Sequence, residues 1–485
     1  MSSKYLLGID FGTSGCKGVI TDLNGKVIAE QFAEYEIFKL KPGWYEQDPD
    51  EHWWKNTVIL IRNLLNKSKI SSKDILAIGL TGMYLCTVIL DKNGKPIRPA
   101  ILHYDARKYE IEKLLLKKLG SRGVDQLANL LWLKEHEFNS FKKINKALGC
   151  HNYLVYKLTG QYAVDYQIAN NYGCFDIKGK KWDEELIKDL GISPEILPPV
   201  RPAYYIIGYV LEDIAKITGL KEETPVIVGS GDTPLSALSC GVIKKGDAMI
   251  KYGSIASFMI CLDDEVSATS LLHCVEPPAK LYWISRQMPE KSPRPFGALV
   301  EWFLAEFGVL NNIQKGKQKS IYKKLDAEAS RISVGAEGLI ILPHFFRSQG
   351  LIYGLDVYHT RIHIYRALLE SCGYSLRYDL ELFKKKAKSA FIMPKIIAAV
   401  NGGARSRLWR QIVSDILNLP QKYMANPGSC YGAAYLAGYG IGVFKDFNSI
   451  NKWIKFSETT YPISENTKKY EKFYKLYKKF QRQFS

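Results

Sequence analysis

Apolar positions in this chain fall first into short runs broken by glycine-bearing turns, and later into stretches where they recur three and four residues apart. The first thirty residues set the pattern: a run from Tyr5 to Phe11, a turn from Gly12 to Gly15, a run from Lys17 to Asp22, then Asn24-Gly25 and a third run from Lys26 onward. Asn-Gly between two apolar runs is a strong hairpin signal, because the tight turn needs positive φ at both central residues. Strands are also predicted at Ile75 to Leu80 and Thr87 to Asp91, with Asn93-Gly94 turning the chain after the second. From about Tyr109 to Leu220 the spacing is mostly helical, as in Leu114-Leu115-Leu116 and Ile144 to Tyr156. Strand character returns at Pro225 to Gly229 and at Ala248 to Cys261, where a glycine turn interrupts an apolar pair. Strand and helix signals alternate again from Leu339 to about Val443, with a helix from about Arg361 to Phe383 and a strand at Ile396 to Val400.

The segment Met249-Ile250-Lys251-Tyr252-Gly253-Ser254 is a weak echo of the opening run and turn, Leu6 to Ser14, which suggests a duplicated domain. The boundary is expected between Gly241 and Gly246, giving domains 1–243 and 244–485. Near the end, Tyr470, Phe473, Tyr474, Tyr477 and Phe480 recur at helical spacing with lysines between them. This predicts a helix docking its aromatic face on its own domain, with a membrane-surface helix as the alternative.

Composition narrows the class. A chain of 485 residues with 46% hydrophobic and 24% charged residues is long enough for two large α/β domains and has the make-up of a packed protein. No apolar run approaches the roughly 18 to 20 residues of a spanning helix, and the amino terminus shows no signal-peptide pattern; a soluble, cytoplasmic protein is expected. Lysine and arginine number 67 against 49 acidic residues, a net +18 that attracts polyanions. The excess is spread in pairs such as Lys117-Lys118 and Lys244-Lys245, without a nucleic-acid-binding motif, and reads as a solvated surface. Nine scattered cysteines without a C-x-x-C pair argue against a disulfide framework or a thiolate metal site.

Three glycine clusters carry candidate chemistry. Asp10-Phe11-Gly12-Thr13-Ser14-Gly15 lies between two strand signals, with Lys17 opening the second. Its glycines permit close backbone approach, its hydroxyls and amides can cradle phosphate, and its carboxylate can hold hydrated magnesium; a plain hairpin turn is the other reading. Val226 to Pro234 ends a strand in Gly229-Ser230-Gly231-Asp232, and that carboxylate either accepts the proton of an attacking hydroxyl or caps a helix. Asn401-Gly402-Gly403-Ala404-Arg405-Ser406 follows a strand and precedes a helix beginning near Leu408, and fits either a flat purine against bare backbone or a simple turn. Gly241 to Gly246 lacks the Lys and Ser/Thr of a Walker A loop, and His359 and His363 lack the Glu and third ligand of a zinc helix.

Together with Pro42-Gly43-Trp44-Tyr45-Glu46-Gln47-Asp48-Pro49, these clusters resemble the FGGY family of carbohydrate kinases over nearly the whole chain. The resemblance implies an α/β fold of two actin-like, ribonuclease-H-like domains with a cleft between them. It implies phosphate and nucleotide contacts at Gly12, Thr13, Ser14, Lys17, Gly253, Ser254, Gly402, Gly403, Ala404 and Ser406, magnesium near Asp10, and Asp232 as the catalytic base. Tyr431-Gly432-Ala433-Ala434 looks like the family's glycine-alanine helix start.

The departures lie on the sugar side. Met83-Tyr84-Leu85 stands where the family often has Gln-Met-His or Gln-Arg-Glu, and His103-Tyr104-Asp105-Ala106-Arg107 lacks the usual preceding Trp. Pro343-His344-Phe345-Phe346-Arg347 lacks the Gly-Glu-Arg-x-Pro of xylulokinase-like members, and the segment before Leu130 is short. Met83, Tyr84, His103, Asp105 and Thr233 are the expected substrate-binding positions, with Tyr84 the one side chain of its turn able to bond a hydroxyl strongly. The expectation is thus an ATP- and Mg2+-dependent kinase of a small sugar, a pentulose such as xylulose first, with a gluconate or glycerol/polyol kinase as the alternative. A nucleotide-binding sensor without turnover is the rival from another class. Expected partners are a small sugar or polyol, no nucleic acid and no membrane, with a homodimer as an option.

Overall fold

The computed structural model describes residues 4–83, 85–119, 124–176, 179–253, 256–262, 272–276, 281–285, 296–307, 318–343, 350–425 and 428–483. The chain divides into two compact units, neither continuous in sequence: 1–243 with 267–282 and 428–454, and 244–266 with 283–427 and 455–485.

The first unit opens with β1 (Tyr5–Phe11), β2 (Gly15–Asp22) and β3 (Val27–Glu34), an antiparallel meander. Helix α1 (Lys55–Ser68) buries Leu60, Ile61 and Leu64 in the core that holds Leu7, Ile9, Phe11 and Ile20. Next, β4 (Ile75–Gly82) runs parallel to β1; both strands are buried almost throughout, as central strands covered on two faces must be. Helix α2 (Cys150–Thr159) adds Tyr153, Leu154 and Leu158 to this core. Strands β5 (Ile206–Tyr209) and β6 (Pro225–Ile227) complete the order β5-β6-β4-β1-β2-β3, and α3 (Asp232–Ser239) follows the two-residue strand Ser230–Gly231.

In the second unit, β7 (Ala248–Tyr252) and β8 (Ala256–Leu262) form an antiparallel pair, then α4 (Arg361–Ala387) and β9 (Ile397–Val400) follow, with β9 parallel to β7. Helix α5 (Arg407–Leu417) leads to β10 (Gln421–Tyr423), parallel to β9. The chain then rejoins the first unit as α6 (Ser429–Gly440), and returns as β11 (Glu458–Thr460), antiparallel to β10, and α7 (Ser464–Gln483). The order β8-β7-β9-β10-β11 repeats β2-β1-β4-β6-β5 in sequence of neighbours and strand directions; the edge strand comes before β6 in the first unit and after β10 in the second, so the weak echo at Met249 to Ser254 marks a repeat of the four strands inside that edge.

Most predicted elements form where the patterning put them. One differs: Ile144 to Tyr156 is not a continuous helix, because Lys146–Leu148 pairs as a strand with Val88–Leu90 before α2 begins at Cys150. Helix α7 buries Tyr470, Tyr474, Tyr477 and Phe480 against its own unit. There Tyr470 Oη donates to Glu370 Oε1 at 2.9 Å and accepts from Arg366 Nη2 at 2.9 Å, so the buried Arg366–Glu370 pair is closed by the helix that covers it. No described helix is long and apolar enough to cross a membrane, and eight of the nine cysteines, among them Cys16, Cys86, Cys150 and Cys430, are buried free thiols.

Candidate active site

Asp10 closes the buried run of β1, and the turn after it is held from behind. Tyr35 Oη donates to the Gly12 carbonyl at 2.6 Å, Gln47 Nε2 to the Thr13 carbonyl at 2.8 Å, and Tyr35 N to the Ser14 carbonyl at 3.2 Å. Gln47 is itself fixed by Trp53 Nε1 at 2.9 Å. With its carbonyls tied down, the turn leaves Thr13 half-buried and Ser14 exposed. Such a preorganised turn suits an anion, since ordering it costs nothing further on binding. Lys17 pairs across the strands with Asp10 in register, and its ammonium lies 2.8 Å from Glu30.

The sheet brings the second carboxylate alongside. Asp10 is in register with Thr81 of β4, and Thr81 with Ser230, so Asp10 and Ser230 sit two strand spacings apart, about 10 Å. Gly229, at φ +77°, turns the backbone between β6 and this short strand, and a side chain there would meet the Leu80 carbonyl. Asp232 then begins α3, half-buried, with Thr233 Oγ1 donating to its Oδ1 at 3.2 Å. Both carboxylates therefore lie at the carboxyl ends of parallel strands of one sheet, the edge where open α/β sheets bind ligands.

Two buried groups flank Asp232. His151 of α2 is fully buried; neither ring nitrogen has a hydrogen-bond partner among the described residues, and its ring edge lies against Gly229. Burial holds its imidazole down at about 3, against a smaller upward pull from the Asp232 charge, so it is neutral at working pH. Asp165, also fully buried, accepts from Ser230 Oγ at 2.6 Å, and burial pushes its carboxyl up to about 7 against the hydrogen bonds it accepts.

Other expected positions have structural duties. Both oxygens of Asp105 are saturated: Oδ1 accepts from Arg107 N at 2.9 Å and Nε at 2.8 Å, and Oδ2 from Tyr45 N at 2.7 Å and Arg107 Nη2 at 2.8 Å. Arg107, buried between Trp44 and Trp132, also meets Glu46 at 2.7 Å, so Asp105 anchors a buried ion network and leaves a sugar no open lone pair there. Met83 is buried, with its N–H on the Phe11 carbonyl at 2.7 Å. His103 is half-buried, stacked edge-on against Tyr104. Tyr84 and Ser254 lie outside the described residues, as do residues 344–347 of the divergent Pro343 segment.

In the second unit, Gly253 ends the β7 run and its carbonyl accepts from Gly297 N at 2.9 Å. The turn after β9 starts at Asn401, with φ 72°, and its two glycines differ. A Cβ on Gly403 would sit 2.9 Å from the Trp409 ring and 3.1 Å from Tyr252 Cβ, whereas one on Gly402 would meet nothing within 4 Å. Gly403 serves internal packing, and Gly402 is the bare backbone facing open space. Ala404 is buried, with its carbonyl accepting from Arg410 Nη1, and Ser406 caps α5 through Trp409 N at 3.0 Å. His363, set aside as a metal ligand, accepts from Thr360 N at 3.1 Å in the capping box of α4, and no cluster of metal-ligating side chains occurs among the described residues.

The sequence singles out Asp10, the Gly12–Ser14 turn and Asp232 as candidates; it does not single out Ser429, whose Oγ donates to Asp10 Oδ2 at 2.6 Å, nor Asp165 or His151. A signal for Asp165 was present: a lone acidic residue between Ala163-Val164 and Ile168-Ala169.

The chain is 28% identical to the xylulose kinase of Bacillus subtilis over 98% of its length and 96% of that protein, and 27% identical to the gluconokinase of the same organism over 96% and 94%. Its fold superposes on the crystal structure of xylulose kinase from Rhodospirillum rubrum with a TM-score of 0.85, at 26% identity, covering 99% of this chain and 100% of that one. This bears out the expected two-domain, actin-like α/β architecture. The N-terminal domain model of the FGGY carbohydrate kinases matches residues 5–239 and the C-terminal domain model residues 286–441, and with both matched the chain belongs to the FGGY family of carbohydrate kinases.

Proposed function

We propose that this enzyme transfers the terminal phosphoryl group of ATP to a hydroxyl of a pentulose such as xylulose, with Asp232 as general base. FGGY sugar kinases use ATP as the phosphate donor. The observation that carries the reading is the placement of Asp10 and of the strand end that leads into Asp232 on one sheet edge, with Asp10 and Ser230 two strand spacings, about 10 Å, apart and the tied turn Gly12–Ser14 beside the first. Asp232 takes the proton of the attacking hydroxyl; Thr13 and Ser14 offer donors to phosphate oxygens. The hydroxyl of Thr233 is a polar group beside Asp232 suited to the acceptor's remaining hydroxyls, each of which needs a partner when buried. One carboxylate beside a phosphate turn fits Mg2+, which keeps most of its waters; Asp10 would hold the ion, which when bound neutralises phosphate charge.

A panel of xylulose, other pentuloses, gluconate and glycerol, read by ADP release, tests the acceptor. Gluconate as best substrate would favour the reading suggested by the gluconokinase relative. Asp232→Asn is expected to lower sugar-dependent turnover by about a hundred- to ten-thousandfold while ATP binding persists. Wild-type turnover in that variant would remove Asp232 as the base.

A further inference from the structure

Asp232 opens the buried helix α3, and the strand that leads into it is only two residues long. The strand before it, Ser230–Gly231, has two ladder partners, Thr81 and Gly82, and is cut off from β6 by the positive-φ turn at Gly229. Upstream, Val228 N and Gly229 N donate to the Tyr205 and Ala203 carbonyls at 3.0 and 2.9 Å, and Ser230 adds a side-chain bond across 65 residues: its Oγ donates to Asp165 Oδ2 at 2.6 Å. Both residues are fully buried, so water does not compete, and a bond of this length between a hydroxyl and a carboxyl group is short and well formed. The same carboxylate caps the short helix Tyr166–Asn170 through Gln167 N and Ile168 N, at 3.3 and 3.4 Å. Asp165 is thereby fixed by the backbone that it caps, and can act as an anchor rather than a floating partner.

We propose that Asp165 is a positioning residue for Asp232, holding the end of the Ser230–Gly231 strand through Ser230 so that the Asp232 carboxylate keeps its aim at the acceptor hydroxyl. The inference rests on the reading of Asp232 as the base. A carboxylate displaced by about 1 Å from its productive position can cost about 100-fold in rate. The bond between Ser230 and Asp165 acts on aim, not on substrate affinity.

Ser230→Ala in the full chain removes the bond with almost no change in volume. With xylulose, or the best acceptor of the panel, it is expected to lower kcat by about 10- to 100-fold with both KM values within about twofold of wild type. Asp165→Ala should do the same if it folds, and Ser230→Ala added to Asp232→Asn should lower kcat no further. Hydrogen exchange of the peptide covering residues 229–234 should accelerate in Ser230→Ala. Unchanged exchange overturns the anchoring whatever the enzyme's substrate, and faster exchange with unchanged kcat overturns the positioning. A further loss of kcat in the Asp232→Asn background also overturns it, by showing a general structural defect. If Asp232→Asn retains turnover, the base assignment has failed instead, a result read separately from the exchange data.

Discussion

Ser429 Oγ donates to Asp10 Oδ2 at 2.6 Å although 419 residues separate them. Ser429 is the first residue of α6, and it is buried, so the bond joins the start of a late helix to the carboxylate that ends the first strand. A hydrogen bond to a charged group contributes about 1.5–3 kcal/mol. Ser429→Ala should therefore lower the unfolding free energy of the first unit by about 2 kcal/mol, measured in urea. An unchanged midpoint would show that the bond holds nothing.

Helix α6 lies on backbone that has been stripped of side chains. A Cβ on Gly8 would sit 1.9 Å from the Cys430 carbonyl oxygen, one on Gly79 2.1 Å from that of Ala433, and one on Gly432 2.1 Å from that of Leu235 in α3. Gly79→Ala should destabilise by about 1–3 kcal/mol or more, because backbone on both sides must shift. Thermal unfolding checks this; a tolerated alanine would mean that helix and strand can separate freely.

The two glycines of the turn after β9 predict opposite outcomes. Gly402→Val adds a side chain in open space and should reduce ATP affinity about tenfold or more while the protein unfolds normally, because the base would lose its flat backbone contact. Gly403→Val should instead lower the melting temperature through collision with Trp409 and Tyr252. Calorimetric titration with ATP and a melting curve for each variant separate the two roles; equal ATP affinity in Gly402→Val would remove that turn from the nucleotide site.

His151 makes the fold sensitive to acid. Its imidazole is held near 3 when folded by burial, against 6.5 ordinarily, so between those values the unfolded chain binds a proton that the folded chain does not. The contribution is complete above pH 6.5 and is lost as the pH falls toward 3, with a size of a few kcal/mol. His151→Gln should flatten the fall in urea midpoint between pH 7.5 and 5. If variant and wild type lose stability in parallel, His151 is not the group that titrates.

Local signals carried much of the fold. Asn24-Gly25 and the apolar runs around it marked the opening meander because turn chemistry and strand period act over a few residues. The strand Lys146–Leu148 was misread because three residues of mixed apolar character cannot display a period. At the site, Asp10 and Asp232 stood out beside glycines, whereas Asp105 looked available when Arg107 and the Tyr45 amide already saturate it. Ser429 and Asp165 were hidden for a different reason: their partners are chosen by topology, across 419 and 65 residues, and no window of sequence contains both ends.

The late arrival of α6 also bears on how the protein is made. A ribosome finishes residues 1–243 well before it reaches 428, and at about 5–20 residues per second the interval is roughly 10 to 40 s. Throughout that time the strip of β1 and β4 around Gly8 and Gly79 has no cover, and Asp10 lacks the Ser429 hydroxyl. The nascent first unit is thus obliged to wait half-dressed for its final helix, an exposed apolar sheet in a crowded cell. Building one unit from two distant stretches of chain thus leaves during synthesis an apolar surface of the kind that aggregates and that chaperones cover.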